Sequence, residues 1–167
     1  MKASLKLLLL ALLVFATIYT ILVGKQRTTI GCEELFLKFG MKLEDTQLSE
    51  IPINYPSLGN VNVTRLEYRT DDSIFRIEKI NGDILGCSVI ISGNNLPPEV
   101  TNMEYYQCSN LDVYYSVEDK GKRIEVKKFL VTDESILLNY VYVNKKFRKF
   151  DEIDERGSLL ERGCVRS

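Results

Sequence analysis

The sequence predicts an α+β protein that is mainly an antiparallel β-sheet, with a short N-terminal helix packed on the sheet and one transmembrane helix in front of it. Three observations predict this class. Residues 7–23 carry no charge, several short segments in residues 61–143 alternate apolar with polar side chains, and an Asn-Gly pair separates two of those segments. Alternation with a period of two is typical of half-buried strands, and Asn-Gly is typical of the turn of a β-hairpin.

The uncharged stretch predicts a signal-anchor that is not cleaved. Lys2 and Lys6 precede it and Lys25 and Arg27 follow it, and a helix of its length spans about 26 Å, close to the ~30 Å hydrocarbon core of a bilayer. A cleaved signal peptide with its cut after Ala16 is the alternative. It is less favoured because the apolar run continues well past that residue, so a cut there would leave an apolar tail on the mature protein.

The anchor divides the chain into three parts. Residues 1–6 form a short cytoplasmic N-terminus, residues 7–24 cross the membrane, and residues 25–167 form a single β-rich domain outside the cytoplasm, on the periplasmic side in a bacterium. The domain contains 20 basic and 23 acidic residues, a balance that argues against nucleic acid as a partner. The predicted partners are therefore the membrane, through the anchor, and another protein.

Four cysteines follow the anchor, none in a Cys-x-x-Cys pair, which disfavours a zinc or thioredoxin-type site. In an oxidising compartment they are expected to form disulfides. Three pairings are possible, and the nested one is preferred, in which Cys87 bonds Cys108 and Cys32 bonds Cys164. It would tie the two ends of the domain together and would staple its middle separately.

The first elements follow from local patterns. Residues 31–41 predict a short helix with Glu33 and Glu34 near its positive end, and the Pro- and Gly-containing residues 42–60 predict a loop. Residues 61–68 predict a strand with a bulge near Thr64, where the apolar positions change phase. Residues 73–80 and 84–92 then predict a hairpin around the Asn-Gly turn.

The later segments predict more strands of a meander. Apolar residues alternate with polar ones in residues 111–117 and 123–131, while residues 136–143 are the most apolar and are therefore predicted to lie at the centre of the sheet. Residues 147–155 mix helical spacing with acidic residues and predict either a short helix or a hairpin at the edge.

The sequence lacks several catalytic devices. There is no histidine, which excludes Ser-His-Asp and Cys-His mechanisms and histidine-bound metals, and there is no glycine-rich nucleotide-binding loop. We accordingly predict no cofactor, no metal ion and no catalytic residue. The clustered acids are Asp71-Asp72, Asp133-Glu134 and residues 151–155, and each lies at or near a predicted turn, where acidic side chains are common.

The tyrosines suggest binding. Tyr114 and Tyr115 are neighbours in one predicted strand, so at least one of them should lie on an exposed face, where tyrosine contributes large contact area to protein interfaces. The leading hypothesis is a membrane-anchored, non-catalytic module that binds another protein, such as an inhibitor or immunity factor. The alternative is an enzyme that cleaves envelope glycans with two carboxylates, as many glycosidases do.

Overall fold

The computed structural model of the chain describes residues 30–41, 49–53, 61 and 63–167, and for residues 49–53 it describes the backbone alone. The predicted anchor lies outside the described residues. No helix within the described ranges is long and apolar enough to cross a bilayer.

The described residues form one nine-stranded antiparallel sheet with short helices on both of its faces. The elements in chain order are α1 (Cys32–Lys38), β1 (Ser49–Ile53), β2 (Val63–Arg69), β3 (Ser73–Ile80), β4 (Asp83–Gly93), a 3₁₀ helix (Pro98–Asn102), β5 (Glu104–Gln107), β6 (Asp112–Lys120), β7 (Arg123–Val131), β8 (Ile136–Asn144), α2 (Phe150–Ile153), α3 (Arg156–Glu161) and β9 (Val165–Arg166).

The sheet consists of two meanders that meet at its centre. The strand order is β1-β2-β3-β4-β8-β7-β6-β5-β9, so β1–β4 form one half and β5–β8 the other, with β9 added at the far edge. The predicted antiparallel meander is thus confirmed within each half. The prediction that residues 136–143 lie at the centre is also confirmed, because β8 is the strand that pairs with β4.

The hairpin between β3 and β4 turns where the sequence predicts. Asn81 and Gly82 both adopt positive φ angles, 51° and 86°, as the two central residues of a type I′ turn require. A register shift lies nearby, between Glu78 and Lys79. The predicted bulge at Thr64 is wrong, because β2 pairs with β3 without interruption. The apolar phase changes there because Arg65 and Glu67 follow Val63 on one face, and each forms an ion pair with a residue of β3.

The prediction that residues 42–60 are entirely loop is also wrong. Residues Ser49–Ile53 form β1, which pairs with β2 along its whole length. Pro52 lies within this strand, and it is tolerated because an edge strand leaves one row of backbone groups without partners in the sheet.

Residues 30–41 cover one side of the sheet, which we call the N-terminal face. The predicted helix is confirmed as α1, with Leu35 and Phe36 buried against the sheet. The Phe36 ring contacts Phe75 edge to face with 5.6 Å between the ring centroids. This geometry suits the quadrupoles of aromatic rings and adds to the hydrophobic gain of burial.

Helices α2 and α3 cover part of the other side, which we call the C-terminal face. Phe150, Ile153 and Leu159 pack on a cluster of buried residues from β5, β6, β7 and β8. The sequence left residues 147–155 as either a helix or an edge hairpin, and the structure has helix there. The edge pairing is made later in the chain, where β9 hydrogen-bonds to β5.

The four cysteines all form disulfides, as predicted, but the nested pairing is wrong. Cys32 bonds Cys87, and Cys108 bonds Cys164. Cys87 points toward the N-terminal face, where α1 lies, whereas Cys108 packs with the cluster of the C-terminal face. The sheet therefore separates Cys87 from Cys108, and each instead bonds the end segment that covers its own face.

Peptide mapping under non-reducing conditions should recover the pairs Cys32–Cys87 and Cys108–Cys164. Replacing both Cys32 and Cys87 with alanine is expected to lower the free energy of unfolding by about 2–5 kcal/mol, because the unfolded chain regains the entropy that the closed loop removes. Denaturant unfolding of the oxidised protein measures this change. Recovery of a Cys87–Cys108 peptide would contradict the assigned pairing.

Candidate functional site

A cleft with a volume of about 280 Å³ opens on the C-terminal face, beside the region that α2 and α3 cover. Strands β4 and β8 provide its floor, the charged side chains of β2 and β3 form one wall, and α2 with the residues next to it forms the other. We take this concavity as the candidate functional site because polar groups from distant parts of the chain converge in it.

The floor is deep because its residues on β4 are small. Gly86 and Ser88 lie opposite Val143 and Val141 of β8. A Cβ atom added at Gly86 would lie 2.9 Å from the carbonyl oxygen of Tyr142, closer than packed atoms approach each other. A larger side chain is therefore excluded at Gly86, and the cleft stays open at that point.

Arginine and glutamate side chains form the wall on β2 and β3. Arg65 donates from Nε and Nη2 to Oε1 of Glu78, at 2.9 and 2.6 Å. Arg76 also lines the cleft and donates to Oε2 of Glu67 at 2.6 Å. Arg69 donates to the other oxygen of the Glu67 carboxylate. The wall thus consists of arginines whose charge is balanced by carboxylates of the sheet.

Glu67 holds this wall in place. Its side chain is only 4% exposed, and burial by itself raises the pKa of a carboxyl group. The hydrogen bonds from Arg76 and Arg69 outweigh that effect, so the pKa of Glu67 lies below its ordinary value of 4.5. The carboxylate is consequently charged at neutral pH and orients both arginines.

The opposite wall contains four charged side chains. Lys128 of β7 donates to Oε2 of Glu155 at 2.6 Å, and Arg148 donates from Nη2 to the backbone carbonyl of Glu152 at 3.1 Å. The hydroxyl of Tyr115 fixes the chain at the junction of α2 and α3, since it accepts from the backbone N–H of Glu155 at 2.9 Å and lies 3.4 Å from the carbonyl of Ile153.

Two polar atoms in the cleft lack hydrogen-bond partners. The side-chain Oδ1 of Asn139 and the Nε of Arg148 are both shielded from solvent, and no group of the described structure bonds to either. Oε2 of Glu152 is 3.5 Å from that Nε, which suffices for an ion pair but does not make a hydrogen bond. Leaving buried polar groups unsatisfied costs free energy. The residues that line the cleft therefore include one acceptor and one donor that no group of the described structure satisfies.

The structure separates the two predicted interface residues. Tyr115 is buried, and burial raises the pKa of its hydroxyl to about 12, so it is not available to a partner. Tyr114 lies on the N-terminal face and is half-buried. Its ring lies beside that of Tyr105, with 5.2 Å between the centroids. Tyr105 and Tyr114 thus form a half-buried aromatic pair on the N-terminal face, which we call the tyrosine surface.

The clustered acids fall into two groups. Asp71, Asp72, Asp133 and Glu134 are exposed in turns at one end of the sheet, and none of them lines the cleft. Within residues 151–155, by contrast, Glu152 and Glu155 line the cleft together with Glu78. No set of three or more acids and cysteines among the described residues is arranged to hold a metal ion.

Most of the cleft residues carry no sequence signal. Arg65 is far in the chain from Asn139 and Arg148, and the strand order brings it to the same cleft. One clue was local: Asn139 interrupts the most apolar strand of the chain, where asparagine is disfavoured.

No family model, no curated protein and no solved structure matches this chain. The functional argument is therefore built on the geometry and chemistry of the cleft.

Replacing Asn139 with leucine is expected to stabilise the protein. Leucine has a similar shape, and it removes an acceptor that no group of the described structure satisfies, a defect that costs about 1–3 kcal/mol. Thermal unfolding should show a melting temperature higher by a few degrees. The matched control is Asn95→Leu in an exposed loop, which should change stability little. A marked loss of stability in Asn139→Leu would mean that the amide has a structural role.

Replacing Glu67 with glutamine is expected to destabilise the protein in a pH-dependent way. The lowered pKa means that the ion pairs contribute fully above about pH 4.5, and that their contribution is lost as the pH falls through the folded-state pKa. At pH 7 the variant should lose about 2–3 kcal/mol, typical of hydrogen bonds to charged groups. Chemical denaturation at pH 7 and pH 3 measures the difference, which should shrink at pH 3. The exposed Glu161→Gln is the control.

Proposed function

We propose that the domain is a non-catalytic binding protein, held on the outer side of a membrane by residues 7–24, and that it binds a short segment of another protein in the cleft. The observation that carries this proposal is the unsatisfied pair in the cleft, the Oδ1 of Asn139 and the Nε of Arg148. A peptide group supplies the complementary donor and acceptor, its N–H and its C=O.

The size and charge of the cleft support a polar peptide segment. Its 280 Å³ lies near the lower limit of small-molecule sites, which suits a few atoms of side chain and backbone better than a large cofactor. Its walls carry positive and negative groups that already pair with each other, so no strong net charge is required of the ligand.

The carboxyl groups support binding rather than catalysis. A glycosidase needs a general acid whose pKa is raised so that it is protonated near neutral pH. In the part of the chain that the structure describes, the carboxyl groups with a shifted pKa all have it lowered: Glu67, Glu118, Asp119 and Asp154. Each forms a hydrogen bond with a lysine or arginine that stabilises the charged form.

The disulfides support a location outside the cytoplasm. Each closes a loop of more than fifty residues, 32–87 and 108–164, and such structural disulfides persist in oxidising compartments. A tether at the membrane would raise the effective concentration of the domain near membrane-bound partners. The disulfides and the membrane tether would both suit an inhibitor or immunity factor that acts at the cell envelope.

One observation favours the alternative, a carboxylate-dependent enzyme for envelope glycans. Glu78, Glu152 and Glu155 all line the same cleft, and such an enzyme needs two carboxyl groups facing each other across the substrate. Under this alternative, the purified protein should release reducing ends from envelope glycans, and Glu155→Gln should abolish the release. Absence of release by the wild type would eliminate it.

The binding proposal is tested by affinity capture of the membrane-extracted protein with quantitative mass spectrometry. Asn139→Leu should reduce recovery of the captured partner at least tenfold while its melting temperature stays equal or rises. The same substitution outside the cleft, Asn95→Leu, should leave recovery unchanged. Equal recovery with both variants would contradict a role for the cleft.

A parallel capture with Tyr114→Ala distinguishes binding in the cleft from binding at the tyrosine surface of the N-terminal face. This residue lies on the opposite face from the cleft, so we expect recovery close to that of the wild type. If recovery is lost with Tyr114→Ala and kept with Asn139→Leu, the partner binds the tyrosine surface of the N-terminal face and not the cleft.

A further inference from the structure

The turns that connect the strands differ in charge between the two ends of the sheet. At one end, the β6–β7 turn and the segment after β8 contain five basic residues and no acid: Lys122, Lys145, Lys146, Arg148 and Lys149. At the other end, the β2–β3 and β7–β8 turns contain four acids and no basic residue: Asp71, Asp72, Asp133 and Glu134. We call these the basic end and the acidic end.

The described chain enters the domain at the basic end. The carbonyl of Ile30 accepts a hydrogen bond of 3.0 Å from Nη1 of Arg123, the first residue of β7. The neighbouring Lys122 accepts from the backbone N–H of Lys145 at 3.0 Å. Ile30 therefore lies beside both basic segments, and α1 leads the chain away from them toward the acidic end.

The distance from the proposed anchor to this point is short. The anchor ends at residue 24, and residues 25–30 extend at most about 20 Å even when fully stretched. If residues 7–24 cross a bilayer, Ile30 must lie within that distance of the membrane surface. The basic end, and not the acidic end, then faces the lipid.

We infer that the basic end of the domain lies against anionic phospholipid headgroups, an inference that rests on the membrane tether of the proposed function. Lys122 and Lys149 are exposed and have no ion-pair partner among the described residues, so they are available to lipid phosphates. Basic residues held close to a membrane surface are attracted by the potential of anionic lipids.

The remaining basic side chains of this end form ion pairs with acids of β4, β6 and α2. Lys145 pairs with Asp119, Lys146 with Asp83, and Arg148 with Glu152. Exposed pairs of this kind are weak, so Lys145 and Lys146 can exchange these partners for lipid phosphates. The anionic headgroups would at the same time repel the acidic end. Both effects therefore turn the basic end toward the membrane.

Lysine acetylation of the full-length protein in vesicles tests the inference. One set of vesicles contains phosphatidylcholine with about one third phosphatidylglycerol, and the other contains phosphatidylcholine alone. We expect Lys145 and Lys146 to be acetylated several-fold more slowly in the anionic vesicles than in the neutral ones, with Lys127 in the middle of β7 as the internal reference. Equal rates in both vesicles would overturn the inference.

Paired charge reversals provide the matched control. The double variant Lys122→Glu/Lys149→Glu should abolish the protection of Lys145 and Lys146 by anionic lipid. The variant Lys38→Glu/Arg162→Glu makes the same change in net charge at exposed positions outside the basic end, and it should keep the protection. Loss of protection in both variants would mean that net charge alone attracts the domain, which would overturn an oriented contact.

Carbonate washing of the vesicles tests the membrane tether separately from the contact between the basic end and the lipid. Protein that stays with the vesicles but shows no dependence on lipid charge retains the tether and contradicts only the oriented contact. Protein released by the wash contradicts the tether, and the inference about the basic end falls with it.

Discussion

The pairing of β4 with β8 is the interaction on which the rest of the molecule depends. Among the described strands it is the single ladder that joins the two meanders, and its register runs from Gly86 opposite Val143 to Gly93 opposite Ile136. On the N-terminal face the pair contributes Cys87 and Val89, opposite Tyr142 and Tyr140, to the core under α1. On the C-terminal face the same two strands form the floor of the cleft. The core under α1 and the candidate site therefore lie on the two sides of one strand pair.

This arrangement explains why the centre of the sheet contains residues that a stability argument would not choose. Ser88 and Asn139 lie where larger apolar side chains would bury more surface and satisfy the preferences of a strand. Natural sequences depart from local rules mainly at functional or strained positions. The ion pairs around Glu67 and Glu155 orient the charged side chains within each wall of the cleft.

The sequence predicts those features that depend on neighbouring residues. The Asn81-Gly82 turn, α1 and the apolar β8 each follow from a local pattern, and the structure agrees with them. Strand β1 was not predicted because Pro52 and the neighbouring proline and glycine are typical of loops. Its strand conformation depends on pairing with β2, which the local pattern does not show. The disulfide pairing and the cleft could not be predicted, because both depend on which face of the sheet each residue occupies. The even-odd position of Cys108 does not predict its face, because the turn after β5 interrupts the alternation: Cys108 packs on the C-terminal face, whereas Tyr114 lies on the N-terminal face.

The two disulfides close loops that do not overlap, since one spans residues 32–87 and the other 108–164. The first loop contains β1–β3 and the start of β4, and the second contains β6–β8 with α2 and α3. Along the backbone, residues 88–107, which include the 3₁₀ helix, connect the two disulfide-closed loops. A single cut of the backbone between Asn94 and Asn102 would thus produce two fragments, each cross-linked within itself. The fragments would recognise each other through the β4–β8 pairing and through the contacts made across it, such as Phe39 with Tyr140 and Lys146 with Asp83. The disulfides thus divide the domain into two units that could be exchanged between copies or reassembled from separate chains.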